Sequence, residues 1–389
     1  MRVAELTAFH VRIPLRRPVR HASHARTASD NVLVRCVLAD GTEGWGEGVP
    51  REYVTGETAE SALRLLRRSE LPAQLEPCGD CGGAVLLAER LRLAPVPDDE
   101  RGIRGNAARC AVELAVLDAY GRHFGEPLSA VTRLLEPTLY RPQPSVRYSG
   151  AVTSSDGLKL KLVAWLYRLY GFRQIKVKVG IPGQDDAVRL MAVRRRVGGA
   201  VELRVDANEA WPADAVADHI RALEPFGIVS VEQPVSHAEV AALAEIRQRI
   251  PPAVMLDESL CSMTDAERAV AGGWCDRFNL RLSKCGGLIP TLRLAAFARD
   301  NDIGCQLGCQ VGETAVLSAA GRNFAATVGG LTAVEGSFDR HLVRAPLSRE
   351  DITFGRGGWA PALTGPGLGV TIDPAAVERV TVTKEALLG

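Results

Sequence analysis

The sequence predicts an α/β protein, a parallel barrel preceded by a separate α+β unit, and three observations carry the prediction. From about residue 146, eight short apolar segments alternate with amphipathic ones, the rhythm of βα units around a parallel sheet. Before about residue 125 the rhythm differs, with strand-like segments first and helix-like segments after them. Finally, successive barrel strands end on polar residues at intervals of about one βα unit, at the end of the barrel where such enzymes place their sites.

The elements follow in order. AELTAFHVRIPL, NVLVRCVLAD and GTEGWGEGV read as strands of a meander, with Asp40 and Gly41 in a turn. RRPVRHASHARTASD, polar and aperiodic, reads as a mobile loop, and VPREYVTGET as a second loop. TAESALRLLRR, GGAVLLAERLRL and NAARCAVELAVLDAYGRHFG have helical spacing, with Asn106 or a neighbour as the cap of the last. The barrel strands are SVRYSGAV, QIKVKVG, VELRVDAN, IVSVEQP, AVMLDES, RFNLRLSK, IGCQLGC and LTAVEGS. A doubly wound sheet is the competitor, but no GxGxxG follows a first strand, and TGPGLGV neither follows a strand nor opens a helix. The last segment, VTIDPAAVERVTV, is placed to return to the first unit. The expected division is 1–125, 126–345 and 346–389.

Composition bounds the class. The chain has 389 residues, 46% hydrophobic and 24% charged, as ordinary globular proteins do, and is long enough for a large barrel with an added domain. A net charge of +1 gives no electrostatic case for nucleic acid or an anionic membrane. No apolar run approaches the roughly 20 residues of a membrane span. The start alternates like a strand and lacks the features of a signal peptide. Nine cysteines, an odd number, are expected as reduced thiols in the cytoplasm. Cys78 and Cys81 form a lone CxxC without a second ligand pair, so a surface loop is expected there before a zinc or redox site.

The chemistry is concentrated at the strand ends. In QIKVKVG, alternation puts Lys176 and Lys178 on one face, and two neighbouring ammonium groups call for an anion between them. Lys178, Asp206, Glu232, Asp257 and Lys284 end the second to sixth strands. Three carboxylates on adjacent strands repel one another unless a hard cation joins them, and oxygen ligands with water and a substrate oxygen suit octahedral Mg²⁺, with Mn²⁺ as the alternative. The lysines flank that metal. Lys178 is the expected proton carrier, its pKa lowered by Lys176 and the cation. The reaction this supports is proton abstraction alpha to a carboxylate.

KVKVG, RVDANEAW, VEQP, MLDES and RLSKCGG, in this order and spacing, resemble the muconate-lactonizing subgroup of the enolase superfamily over nearly the whole chain. A lysine base with Mg²⁺ is that superfamily's pattern. The resemblance implies a modified TIM-type (β/α)7β barrel with an N-terminal α+β capping domain. It implies metal ligation by Asp206, Glu232 and Asp257, acid/base roles for Lys178 and Lys284, and a polar partner at Glu335. It also implies capping loops that choose the substrate, with His21, His24 and Tyr53 as contacts. Asn208 and Glu209 are either supporting groups or helix caps, the cap being favoured for Glu209. Cys309 and Glu313 either line the mouth or pack. A homo-oligomer, such as a dimer or octamer, is expected.

Within the subgroup, cycloisomerisation of muconate-type diacids, epimerisation of dipeptides or acylated amino acids, and o-succinylbenzoate formation share one enolate step. Dipeptide epimerases of the family typically carry Asp-x-Asp at the last strand. This chain has Glu335-Gly336-Ser337 there, which favours a cycloisomerase. A Schiff-base aldolase using either lysine, or a non-catalytic enolase-like binding protein, are the readings from other classes.

Overall fold

The computed structural model describes residues 1–20, 25–153 and 155–389. Strands β1 (Val3–Arg20), β2 (Ala25–Leu38) and β3 (Glu43–Gly48) form an antiparallel meander. The polar stretch expected as a mobile loop is largely strand: Pro14 faces Ala28, and after an irregularity Val19 faces Arg26. Ladder hydrogen bonds need backbone, not apolar side chains, so a hairpin outlasts its hydrophobic pattern. The second expected loop contains a short helix, Glu52–Thr55.

The sequence EGWGEG makes β3 a strand that touches a helix through backbone. Gly44, Gly46 and Gly48 share one face by the period of two, and that face meets Ala107, Ala111, Ala115 and Ala119 of the helix Asn106–Phe124. A Cβ on Gly46 would lie 2.0 Å from the Ala111 carbonyl oxygen and 2.5 Å from the Ala115 nitrogen. Alanines at four-residue spacing and glycines at two-residue spacing therefore build one close contact.

Asn106 does not cap this helix. Gly105 holds the cap position without a side-chain bond, and the buried Glu57 carboxylate accepts from the Ala107 and Ala108 N–H groups at 3.1 and 3.4 Å. A carboxylate there satisfies orphan donors and meets the positive end of the helix dipole. Asn106 Nδ2 instead donates to the carbonyls of Lys284 and Cys261 at 2.6 and 2.8 Å. Cys78 is buried, not in a surface loop, its backbone bonded to Met1, and Cys81 opens the helix Cys81–Arg90.

SVRYSGAV splits. Its first part is β4 (Ser145–Arg147), paired antiparallel outside the barrel, and only β5 (Gly150–Val152) enters the parallel sheet. The sheet continues with β6 (Gln174–Lys178), β7 (Glu202–Asp206), β8 (Ile228–Glu232), β9 (Ala253–Leu256), β10 (Arg277–Leu280), β11 (Gly304–Leu307) and β12 (Leu331–Val334) in chain order. The Ser149 N–H and hydroxyl both donate to the Val334 carbonyl, at 2.9 and 3.1 Å, and join the two edges. Helical segments separate the eight strands, giving a (β/α)7β barrel. β13 (Trp359–Pro361) pairs with β4, and β14 (Thr381–Leu388) returns to pair antiparallel with β1. Among the described residues, no helix is long and apolar enough to cross a membrane.

Two outcomes are expected. Gly46→Ala should cost more than about 2 kcal/mol in urea unfolding, because the new Cβ overlaps helix backbone that cannot move aside. Burial pushes Glu57 and Glu47 up to about 7. A raised carboxyl keeps its proton in the folded state while the unfolded chain releases it, so stability should fall as pH rises from about 4.5 to 7. Each group contributes a slope of up to about 1.4 kcal/mol per pH unit. Urea titrations at pH 5, 6 and 7.5 check this, and Glu57→Gln should show a shallower fall than the wild type.

Candidate active site

The alternation of QIKVKVG sets two lysines at different depths on one wall. Lys178, the last residue of β6, is partly exposed and donates to Asn208 Oδ1 at 2.5 Å, with Asp206 Oδ2 3.9 Å away. Lys176, two residues deeper, is buried, 2.7 Å from Glu335, 3.2 Å from Glu232 and 3.6 Å from Asp206. Burial opposes its charge, but Glu232, Glu335 and Asp206 outweigh that and raise its pKa. Lys176 is thus the counter-ion of the carboxylates, where the sequence made it the neighbour that tunes Lys178.

The three expected metal ligands reach the same mouth. Asp206 ends β7, Glu232 ends β8, and Asp257 follows β9; all are buried. Glu232 accepts from Lys176, from Asn279 Nδ2 at 2.9 Å and from Gln306 Nε2 at 3.4 Å. Burial pushes it up to about 7, with Lys176 opposing. Asp257 is held below the usual carboxylate range, because Arg281 and Lys284 outweigh the effect of its burial. Its neighbour Glu258 is pushed up to about 8 by burial and by Asp257. Asn208, in the left-handed region at φ 44°, lies between Lys178 and Glu258. Gln233 joins two motifs: its Oε1 accepts from the Asp257 and Ser259 N–H groups at 2.9 and 3.2 Å.

RLSK does not continue the sixth strand. β10 ends at Leu280 and the chain turns, with the Cys285 N–H bonded to the Arg281 carbonyl at 2.9 Å. Arg281 therefore projects from the strand end, its guanidinium paired with Asp257 and lying 3.4 Å from Glu232. Lys284 sits behind, its side chain fully buried, donating to the Asp257 carbonyl, Asp257 Oδ1 and the Asn279 carbonyl at 2.6, 2.8 and 2.8 Å. These bonds use all three of its donors. Among the described residues, no three carboxylate, histidine or cysteine side chains converge on a point that could hold a metal ion, because cationic side chains stand between these carboxylates.

Glu335 follows β12 and lies 2.7 Å from Lys176 and 3.2 Å from Arg204. Those cations outweigh burial and lower its pKa. Glu209 accepts from the His237 N–H at 3.0 Å, so it caps the turn after the next strand and not its own helix. Cys309 and Glu313 line a small cavity with Tyr148 and Glu335. In the N-terminal part, Tyr53 lies with its ring 5.4 Å from the Arg26 guanidinium. His21 and His24 lie outside the described residues. Arg204, Arg281, Glu258, Asn279 and Gln306 went unnamed in the sequence reading. The signal for Arg204 was available: it stands two residues before Asp206 as Lys176 stands two before Lys178.

Comparison with known proteins gives this geometry a family. Residues 3–132 match the mandelate racemase / muconate lactonizing enzyme N-terminal domain, and residues 161–376 the enolase C-terminal domain-like family. The chain is 27% identical over 394 residues to N-succinyl-L-Arg/Lys racemase of Bacillus cereus, covering 99% of each. It is 28% identical over 376 residues to muconate cycloisomerase 1 of Rhodococcus opacus, covering 95% of each. The crystal structure of a dipeptide epimerase from Cytophaga hutchinsonii, complexed with Mg and D-Ala-L-Val, superimposes with a TM-score of 0.85 at 25% identity, covering all of both chains. The chain belongs to the mandelate racemase/muconate lactonizing enzyme family of the enolase superfamily.

Proposed function

We propose that this enolase-superfamily isomerase racemises or epimerises an amino acid acylated on nitrogen, moving the proton alpha to its carboxylate. The carrying observation is that β6 and β10 stand four strands apart in an eight-stranded barrel, so Lys178 faces the Arg281–Lys284 turn across the mouth. Inverting a carbon needs a proton carrier on each face. Lys178 serves one, and Lys284 the other once it leaves its three bonds. Two features support an acylated nitrogen: Glu335 is already paired with Lys176 and Arg204, which leaves it poorly placed to hold a substrate ammonium, and the Bacillus cereus relative is an N-succinyl amino acid racemase.

Asp206, Glu232 and Asp257 are the residues to hold Mg²⁺, the ion in the Cytophaga hutchinsonii complex. Their chemistry fits a hard cation: the carboxylates are buried, and the adjacent Glu258 Oε2 is buried without a hydrogen-bond partner. Bound there, the ion supplies the positive charge that stabilises a substrate carboxylate as its alpha carbon loses a proton. Arg281 competes for the same oxygens. The nine cysteines are free, which supports a reducing, cytoplasmic setting.

One observation favours a second reading. Lys284 has no free donor and is fully buried, while Arg281, which does not give up its proton, stands nearer the mouth. A one-faced reaction such as cycloisomerisation needs only Lys178.

Exchange in D₂O decides between them. Under the racemase reading, both enantiomers of N-succinyl and N-acetyl amino acids take up deuterium at the alpha carbon by NMR. Lys178→Ala should then lose roughly 10²–10⁴-fold in exchange of one enantiomer and Lys284→Ala of the other. Uptake by one enantiomer only, indifferent to Lys284→Ala, selects the one-faced reading, and no exchange with any acylated substrate removes the substrate class. Separately, Arg281→Met should bind Mn²⁺ roughly tenfold more tightly by electron spin resonance of the free ion, since about 1.4 kcal/mol of competition is removed. Unchanged or weaker binding would show that the guanidinium does not compete.

A further inference from the structure

Every charged residue of the helix Gly157–Tyr170 is basic: Lys159, Lys161 and Arg168. Leu160 and Ala164 are buried against the barrel. The opposite side is apolar as well, with Leu158, Leu162, Trp165 and Leu169 82%, 55%, 49% and 52% exposed. At about 100° per residue these four fall within roughly 60° of arc, and the basic residues stand roughly 70–90° from its centre. Lys159 flanks the stripe on one side, Lys161 and Arg168 on the other. An outer barrel helix ordinarily turns polar residues outward; this one turns outward an apolar stripe bordered by cations.

We propose that this face seats the protein on the surface of an anionic lipid bilayer, with the helix lying in the plane of the headgroups. A helix in that position sinks its apolar stripe about 5–10 Å and keeps its cations among the headgroups. Residues at the borders of the stripe suit this, because Lys and Arg lay their stems along apolar surface while the charged heads reach outward. Trp165, within the stripe, has the apolar body and polar N–H that favour such a boundary. Exposed Val188 extends the apolar surface onto the neighbouring helix Asp186–Val197.

The charges select the occupant. Among the described residues, no carboxylate pairs with exposed Lys159, Lys161 or Arg168, or with exposed Arg195 of the neighbouring helix. The nearby acids are committed elsewhere. Asp156 and Asp185 accept from N–H groups at the two helix starts, at 2.7 and 3.0 Å, and Asp186 lies 3.3 Å from the buried Arg189. A second copy docked here would set cations against cations, whereas an anionic lipid surface answers all of them together. The net charge of +1 averages over the whole chain and conceals this local excess. At 14 residues the helix is shorter than the roughly 20 of a membrane span, so it rests on the bilayer. The face is on the outside of the barrel, away from the strand ends that carry Lys178 and Asp257.

Co-sedimentation of the full chain with vesicles tests this. The wild type should bind vesicles of equal parts phosphatidylserine and phosphatidylcholine at low salt, and lose most of that binding in high salt or with phosphatidylcholine alone. Leu162→Glu with Trp165→Glu should weaken binding roughly 100-fold or more, because two inserted side chains are lost. Lys159→Gln with Lys161→Gln should weaken it roughly 30-fold, and keeps the test intact if the first variant does not fold. Far-ultraviolet circular dichroism and the D₂O exchange reaction should be unchanged in the folded variants, so failure of membrane binding and failure of the proposed activity read out separately. The proposal is overturned if the wild type leaves phosphatidylserine vesicles unbound on the order of 1 mM lipid, or binds both vesicle types equally. Variants that bind as the wild type does would overturn it too, as would variants that change the sedimenting mass of the free protein but not its vesicle binding.

Discussion

Everything at the barrel mouth depends on keeping several buried carboxylates from repelling one another. Asp206, Glu232, Asp257, Glu258 and Glu335 lie within one polar interior, and Lys176, Lys178, Arg204, Arg281 and Lys284 answer them. A buried charge is tolerated only when paired and hydrogen-bonded, and the pairing here is shared, not one to one. Lys176 alone lies within reach of Asp206, Glu232 and Glu335. Removing one member leaves several others uncompensated, so the network resists piecemeal change.

The N-terminal part is fixed on the barrel by the same kind of group used differently. Glu47 accepts from the Thr314 and Leu317 N–H groups at the start of the helix Ala315–Ala325. Glu113 accepts from the Ile289 N–H at 3.0 Å, at the start of Leu288–Asp300, and Glu57 does so for Asn106–Phe124. Each is a buried carboxylate seated on a helix N-terminus, where orphan donors and the dipole favour it. Two of these helices follow β10 and β11, so capping them also fixes the loops that border the mouth. Asn106, reaching to the Lys284 carbonyl, ties the same loop from above.

The fold was legible because its signals are periodic. Strand ends at regular intervals, with alternation inside each strand, place Lys178, Asp206, Glu232 and Asp257 at one mouth without any contact being known. What the sequence hid was non-periodic. The hairpin that pairs Val19 with Arg26 is held by backbone bonds that leave no hydrophobic trace, and SVRYSGAV carries no sign of where one strand gives way to the next. The polar second layer was half visible. Arg204 follows from the rule that placed Lys176, but its partners Gln306 and Ser149 lie 102 and 55 residues away, and nothing local connects them.

RLSK is the instructive case. Four residues in extended conformation would carry Lys284 beyond the mouth, whereas the turn closed by the Cys285 N–H and Arg281 carbonyl folds it back beneath Arg281. Period two cannot reveal a turn whose side chains are apolar and basic like the strand before it. The consequence is chemical as well as geometric. Lys178 presents a partly exposed ammonium on one wall, while the other wall presents a guanidinium with a saturated lysine behind it. Matched lysines would treat both faces of a carbon alike; under the proposed two-faced reaction this barrel would do so only if Asp257 exchanged its two cations for another partner. Asp257, bonded to Arg281 and Lys284 together, is therefore the group whose bonding would have to change before Lys284 could serve the second face in the proposed reaction.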